Sequence, residues 1–142
     1  GLVLLATPGA RRHRAYLVAP WIMRLLAAPT GVPLLGGPFC RYARGKYASL
    51  GLKVPDDDGL LHNLVTTVGT LSFARIGKQA RTLRLPVLLA HSQDDGVIQV
   101  SIAREMAEIL QDCTPLFFQD GGPHVQKTRA REVASAIAGK FG

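Results

Sequence analysis

The chain has 142 residues, 47% of them apolar and 19% charged, with a formal net charge of +7. That length and balance suit one globular domain with a real core and argue against disorder. The positive charge is front-loaded: no Asp or Glu precedes Asp56, whereas Arg11, Arg12, Arg14, Arg24, Arg41, Arg44, Lys46 and Lys53 do. These cations are scattered among Pro, Trp and Leu rather than gathered on one helix, so they read as solvated surface, and no nucleic-acid partner is expected.

Leu2 to Ala6 is a continuous apolar run stopped by Thr7-Pro8-Gly9, which suits a strand buried on both faces of a parallel sheet. A basic loop follows, then an apolar segment from Leu17 to Ala28, where Pro20 fits the first turn of a helix. The longest uncharged stretch, Leu25 to Cys40, holds Pro29, Pro33 and Pro38. It reads as turns rather than a membrane span, and no transmembrane segment is expected.

Arg41 to Leu50 is expected to form a short helix. Asp56, Asp57 or Asp58 should cap the next one, from about Gly59 to Val68, whose Leu60, Leu61, Leu64, Val65 and Val68 have the spacing of a buried stripe. A further helix from Ser72 to Thr82 turns Phe73, Ile76 and Ala80 inward. Pro86 to His91 is a second buried strand. Ile102 to Leu110 is an amphipathic helix with Ala103, Met106, Ala107 and Leu110 on one side, and Leu116 to Gln119 is a third strand. Arg131 to Phe141 closes the chain as a helix with Val133, Ala134, Ile137, Ala138 and Phe141 facing the sheet. Strand and helix in alternation imply parallel crossovers and an α/β class.

In such sheets functional groups gather at the carboxyl ends of strands. Asp94 and Asp95 follow the second strand, and His124, in Gly121-Gly122-Pro123-His124, follows the third. A carboxylate beside an imidazole holds its tautomer and stabilises its charged form when it takes a proton from a nucleophile. His91, at the end of the second strand, reads as a satisfied near-core histidine. His62 and His13 have no partner at a meaningful spacing. The glycine pairs lack the context of a phosphate-binding loop. Cys40 and Cys113 are far apart without metal-type spacing, so zinc is not expected and both read as free thiols, mildly favouring a reducing compartment, cytoplasmic or organellar.

The segment Leu85-Pro86-Val87-Leu88-Leu89-Ala90-His91-Ser92-Gln93-Asp94-Asp95, then Gly121-Gly122-Pro123-His124 with Gln126 and a helix, resembles the acid and histidine loops of the α/β-hydrolase superfamily. The resemblance covers essentially the whole chain. It implies a partial α/β-hydrolase fold: three parallel strands with flanking helices from residues 1–9 and 72–142, and a helical cap over 10–71. It implies Asp95 as the acid, with Ser92 where the family has glycine, and His124 as the base. Asp94 would cap the following turn. Pro123 departs from the family's Gly-His; a register set by Gln126 would put Pro123 at the catalytic position and leave the site inactive.

No Gly-x-Ser-x-Gly elbow is present: Ser49, Ser72, Ser92, Ser101 and Ser135 all lack that setting. Family order places the nucleophile before the acid, so together with a first residue that is not Met the chain reads as a fragment whose nucleophile lies upstream of Gly1. The resemblance thus implies a serine hydrolase of ester or related acyl bonds with a small hydrophobic substrate and no cofactor. Trp21 and Met23, with Ile22, Leu25 and Leu26, would line the pocket or simply pack the cap. The alternatives are a non-catalytic ligand- or partner-binding protein, and a relative of epoxide hydrolases or dehalogenases with an aspartate nucleophile. The first strand would leave an open sheet edge, favouring self-association.

Overall fold

The computed structural model describes residues 1–14, 33–49, 54 and 56–142. The expected helix from Pro20 to Ala28 and the candidate pocket residues Trp21 and Met23 lie outside the described residues, as does the side chain of His62. In chain order the elements are β1 (Leu2–Leu5), α1 (Pro33–Ser49), α2 (Asp58–Thr70), α3 (Phe73–Thr82), β2 (Val87–Ser92), α4 (Val100–Ile109), β3 (Cys113–Phe118), a 3-10 turn (Gly122–His124), α5 (Val125–Thr128) and α6 (Ala130–Phe141). They form two units, Gly1–His13 with Phe73–Gly142, and Arg14–Ser72.

The first unit is built on a three-stranded sheet of order β1-β2-β3. Both pairings are parallel, with Leu2 opposite Val87 and Val87 opposite Cys113. β2 is central, and all six of its residues are buried, which is why the sequence there is an unbroken apolar run rather than an alternation. Ladder bonds continue past the strand ends: Gln93 N donates to Phe118 O at 2.9 Å, so the loop after β2 leaves the sheet already tied to β3.

Alternation along β2 sends Val87 and Leu89 to one face, where they pack with Ala80 of α3, Ala103 and Met106 of α4, and Leu110. Ile102 of α4 is fully buried as well. It sits so close to Gly9 that a Cβ there would collide with Ile102 Cγ2, and Gly9 has a φ of +70°. Glycine at position 9 therefore both permits the turn after β1 and lets α4 approach it. On the surface, Arg11 Nε meets Glu105 at 2.7 Å and Arg11 Nη2 donates to Ser101 Oγ at 2.8 Å. Exposed pairs of this kind contribute at most about 1 kcal/mol.

β3 begins three residues earlier than its apolar pattern indicates. Thr114 and Pro115 are exposed, so nothing in their polarity marks a strand, and Pro115 is tolerated because β3 pairs only with β2 among the described strands. α6 buries Val133 and half-buries Ile137 and Phe141, but Ala134 and Ala138 are exposed. The inward stripe of that helix is narrower than its composition suggested.

In the second unit, Asp57 Oδ1 accepts from Leu60 N at 2.8 Å and caps α2. Leu61 is buried, whereas Leu60 and Leu64, one turn apart on a flank, are 57% and 37% exposed. The stripe expected on that helix is thus displaced toward one side. α1 extends well before the expected Arg41 start and includes Pro38, despite the hydrogen bond that a proline removes from a helix interior. Cys40, Ala43 and Tyr47 form its buried face, at the 3, 4 spacing of a helix. Among the described residues no helix is long and apolar enough to cross a membrane.

Candidate active site

Two loops leave the carboxyl end of the sheet side by side, one after β2 and one after β3. In the first, Asp95 is folded inward, 4% exposed. Its Oδ1 accepts from Val97 N at 2.7 Å and from Ile98 N at 2.9 Å, the local turn that an Asp side chain forms with backbone two and three residues on. His91 closes the same loop from below: its Nε2 lies 2.9 Å from Ile98 O. A carbonyl only accepts, so Nε2 carries the proton in this arrangement. Both peptide groups of Ile98 are thereby satisfied, its N–H by Asp95 and its C=O by His91.

The other oxygen of Asp95 is different. Oδ2 is buried and accepts no hydrogen bond from the described residues; His91 Nε2, already committed to Ile98, is 3.8 Å away. Buried polar atoms are paired in the great majority of cases, and an orphan carboxylate oxygen marks a place where a partner is wanted. His91 Nδ1 and Ser92 Oγ, also buried, have no hydrogen-bond partner among the described residues either. His91 is thus only half satisfied.

The second loop turns on Gly121 and Gly122, with φ of +144° and +63°. Conformations of this kind are open to glycine and aim successive N–H groups at one point. That point is Asp94: its Oδ1 accepts from Gly122 N at 2.8 Å and its Oδ2 from Gly121 N at 3.3 Å. The Gly122 amide, then the Gly121 amide and the Arg129 charge, hold the Asp94 carboxyl below its ordinary value. The loop's carbonyls are held from the other side, where Thr128 Oγ1 donates to Gly121 O at 2.8 Å and Arg129 Nε to Asp120 O at 3.2 Å. Arg129 also ion-pairs with Asp120 and lies 5.8 Å from the centre of the Phe118 ring.

The two aspartates therefore divide the work in a way that their adjacency hides. Asp95 caps the following turn, a role the sequence assigned to Asp94, and Asp94 reaches across to the glycines before His124. The signal that could have revealed this is the Gly121-Gly122 pair itself, two consecutive amides with φ open to positive values. His124 ends the 3-10 turn with its side chain exposed. It makes no hydrogen bond to Asp95, whose Oδ1 is taken by two amides and whose Oδ2 is free. The structure brings the acid and histidine loops together through Asp94, not through that pair.

Gly121 also lies against Ser92. A Cβ at position 121 would stand 2.5 Å from Ser92 Oγ and 3.0 Å from Thr128 Oγ1, whereas one at Gly122 would meet nothing within 4 Å. Gly121→Ala should therefore cost about 3 kcal/mol, from backbone strain plus overlap. Gly122→Ala should cost about 1 kcal/mol, from a left-handed conformation alone. Urea denaturation of the two variants measures the difference, and Ser92→Gly should recover part of the loss only in the first.

His13 is a residue whose setting the sequence did not disclose. It is 8% exposed, with its ring edge-on to Phe73 at 6.1 Å between centroids. Burial pushes its imidazole down, and the Asp95 charge acts in the opposite direction. No pattern in the sequence joins positions 13 and 95; only the return of β2 alongside β1 does so. Among the described residues no three His, Cys, Asp or Glu side chains are grouped to hold a metal ion, and Cys40 and Cys113 are free thiols.

No family model matches the sequence, and no curated protein matches it. Solved structures do. An esterase from Exiguobacterium antarcticum aligns with a TM-score of 0.55 at 14% identity, covering 97% of this chain and 55% of that one. MenH from S. aureus aligns with a TM-score of 0.52 at 14% identity, covering 99% of this chain and 57% of that one. The chain spans a little over half the length of each.

Proposed function

We propose that this chain, whose fold is a partial α/β-hydrolase fold, supplies the acid and base of a serine hydrolase acting on ester or related acyl bonds. Asp95 is the acid, His124 the base, and the nucleophile belongs to sequence outside these residues. The substrate is a small hydrophobic one; residues 10–71 are the proposed cap region, and the proposed substrate contacts Trp21 and Met23 lie outside the described residues. The observation that carries this reading is the orphan Oδ2 of Asp95, a buried carboxylate oxygen beside the loop that bears a histidine. The names of the matched proteins, an esterase among them, support the reaction class.

In the proposed reaction His124 rotates so that one ring nitrogen donates to Asp95 Oδ2. The other ring nitrogen then takes the hydroxyl proton as a serine attacks the acyl carbon, and returns it to the leaving alcohol. Asp95 fixes the tautomer and stabilises the imidazolium without itself becoming protonated. Both Oδ1 bonds stay in place throughout, which keeps the carboxylate from turning with the ring. Catalytic hydrogen bonds are commonly unmade in unliganded sites and close in the substrate complex.

A fluorophosphonate probe tests the reading: the natural polypeptide carrying these residues should label, and its His124→Ala variant should not. The exposed His124, unbonded to Asp95, favours a second reading, a hydrolase-like protein that binds a ligand or partner without turnover. Lack of labelling favours that reading or an aspartate nucleophile, and a haloalkane or epoxide substrate separates those two.

The side of β1 that pairs with none of the described strands also bears on partners. Its four residues are apolar and half-buried, and beside it lies a groove of about 240 Å³ lined by Leu2, Leu4, Ile76, Ala80, Leu83 and Met106. An apolar edge with free backbone groups recruits another strand. The 142-residue chain should sediment as a dimer or larger species; a monodisperse monomer would remove this expectation.

A further inference from the structure

We infer that Asp94 is a positioning residue: by gripping the amides of Gly121 and Gly122, its carboxylate sets where His124 stands relative to Asp95. The catalytic meaning of the clamp rests on the reading of His124 as the base, but the clamp itself is a matter of geometry. Asp94 is the side chain of the acid loop that bonds the histidine loop, through contacts of 2.8 and 3.3 Å. Its two acceptor atoms are one residue from Asp95, and its two donors precede His124 by two and three residues.

The chain between donor and histidine is short and stiff. Pro123 fixes its own φ and supplies no competing N–H, and Gly122 to His124 forms a single 3-10 turn. A shift at the Gly122 amide is therefore passed to the His124 backbone with little slack. Thr128 and Arg129 hold the carbonyls of Gly121 and Asp120, anchoring the loop to its own following helix. Asp94 is what ties that assembly to the acid. Proline at 123 thus has a structural use besides its departure from Gly-His.

The clamp is ionic on one side only. A neutral carboxyl accepts more weakly than a carboxylate, and the contacts that hold Asp94 below its ordinary value must be lost when it protonates. The stabilisation is therefore present above the unfolded carboxyl value and disappears as pH falls through the lowered folded one. Arg129 favours the ionised form. Asp95 on the same loop, and Asp120 and His124 on the facing one, are the other titratable groups beside the contact.

The test follows the Gly121 and Gly122 amide resonances of the 142-residue chain from neutral to acid pH. Both should move together with the Asp94 carboxyl carbon, at an apparent pKa below the ordinary carboxylate range. The movement should vanish in Asp94→Asn and persist in Asp120→Asn. Hydrogen exchange of the same amides, read by mass spectrometry, should quicken roughly tenfold to hundredfold in Asp94→Ala, the worth of a charge-assisted bond. Exchange at Val97 and Ile98 should stay unchanged, and the His124 ring signals should shift.

Glycine amides that follow Asp120, or do not titrate, would overturn the proposal, as would unchanged exchange in Asp94→Ala. Equal acceleration at Val97 and Ile98 would reduce Asp94 to a general structural role and count against it. The wild-type titration needs no variant to fold. None of these readouts depends on turnover: an intact clamp without fluorophosphonate labelling removes the catalytic reading alone, and labelling without the clamp removes only the positioning role.

Discussion

Replacing Asp95 with alanine should lower stability by about 3 kcal/mol, while asparagine should cost only about 1 kcal/mol. The difference lies in what each leaves behind. Alanine removes the acceptor of Val97 N and Ile98 N, and those residues are only 7% and 8% exposed, so both amides lose their partner where water scarcely reaches. Asparagine keeps an oxygen at the Oδ1 position and loses mainly the charge assistance. Activity should not separate the two. In a polypeptide that holds the nucleophile, either substitution should lower kcat by about 10⁴-fold, because neither a methyl group nor a neutral amide stabilises an imidazolium or holds the required tautomer. Urea denaturation and ester hydrolysis on the same preparations check both halves. An asparagine variant that is stable and fully active would show that Asp95 is a turn cap and nothing more.

The second large effect belongs to the core. Leu89→Ala should destabilise the first unit by about 2–5 kcal/mol, a substantial part of the 5–15 kcal/mol that holds a typical domain together. Leu89 is 0% exposed in the central strand, and its neighbours Val87, Ala103, Met106 and Leu110 come from rigid elements on one face of the sheet. Such a site relaxes poorly around a deletion, so the cavity remains. Leu64→Ala, on a side chain 37% exposed, should change stability by less than about 0.5 kcal/mol. The comparison of urea midpoints separates packing from hydrophobicity as such.

Much of the fold is written in local pattern. β2 and α4 are legible because a central parallel strand needs an unbroken apolar run and a helix against one face needs a 3, 4 repeat. The parallel α/β class follows from their alternation, while the partial hydrolase form was implied only by the resemblance of the acid and histidine loops. The second half of α1 was legible, but its start at Pro33 escaped because Pro38 and Gly37 mark turns in isolation. The start of β3 escaped because an edge strand does not require apolar residues on both faces.

The candidate site was legible by position and not by contact. Asp94, Asp95 and His124 stand at neighbouring strand ends because the sheet is parallel, and that much follows from sequence order. Which aspartate caps its own turn and which reaches the other loop depends on backbone conformation at Gly121 and Gly122, twenty-seven and twenty-eight residues from Asp94. Two adjacent carboxylates have the same local signature. Nor could the burial of His13 near Asp95 be read, since it depends on pairing between β1 and β2 across some eighty residues of intervening chain.

The most direct measurement is fluorophosphonate labelling of the natural polypeptide that carries these residues, in wild-type, Asp95→Asn and His124→Ala forms, with the labelled residue mapped by mass spectrometry. One serine outside the 142 residues should be labelled, with labelling slowed by at least about a thousandfold in both variants. Labelling at unchanged rate in His124→Ala, or none in the wild type, would contradict the serine-hydrolase reading.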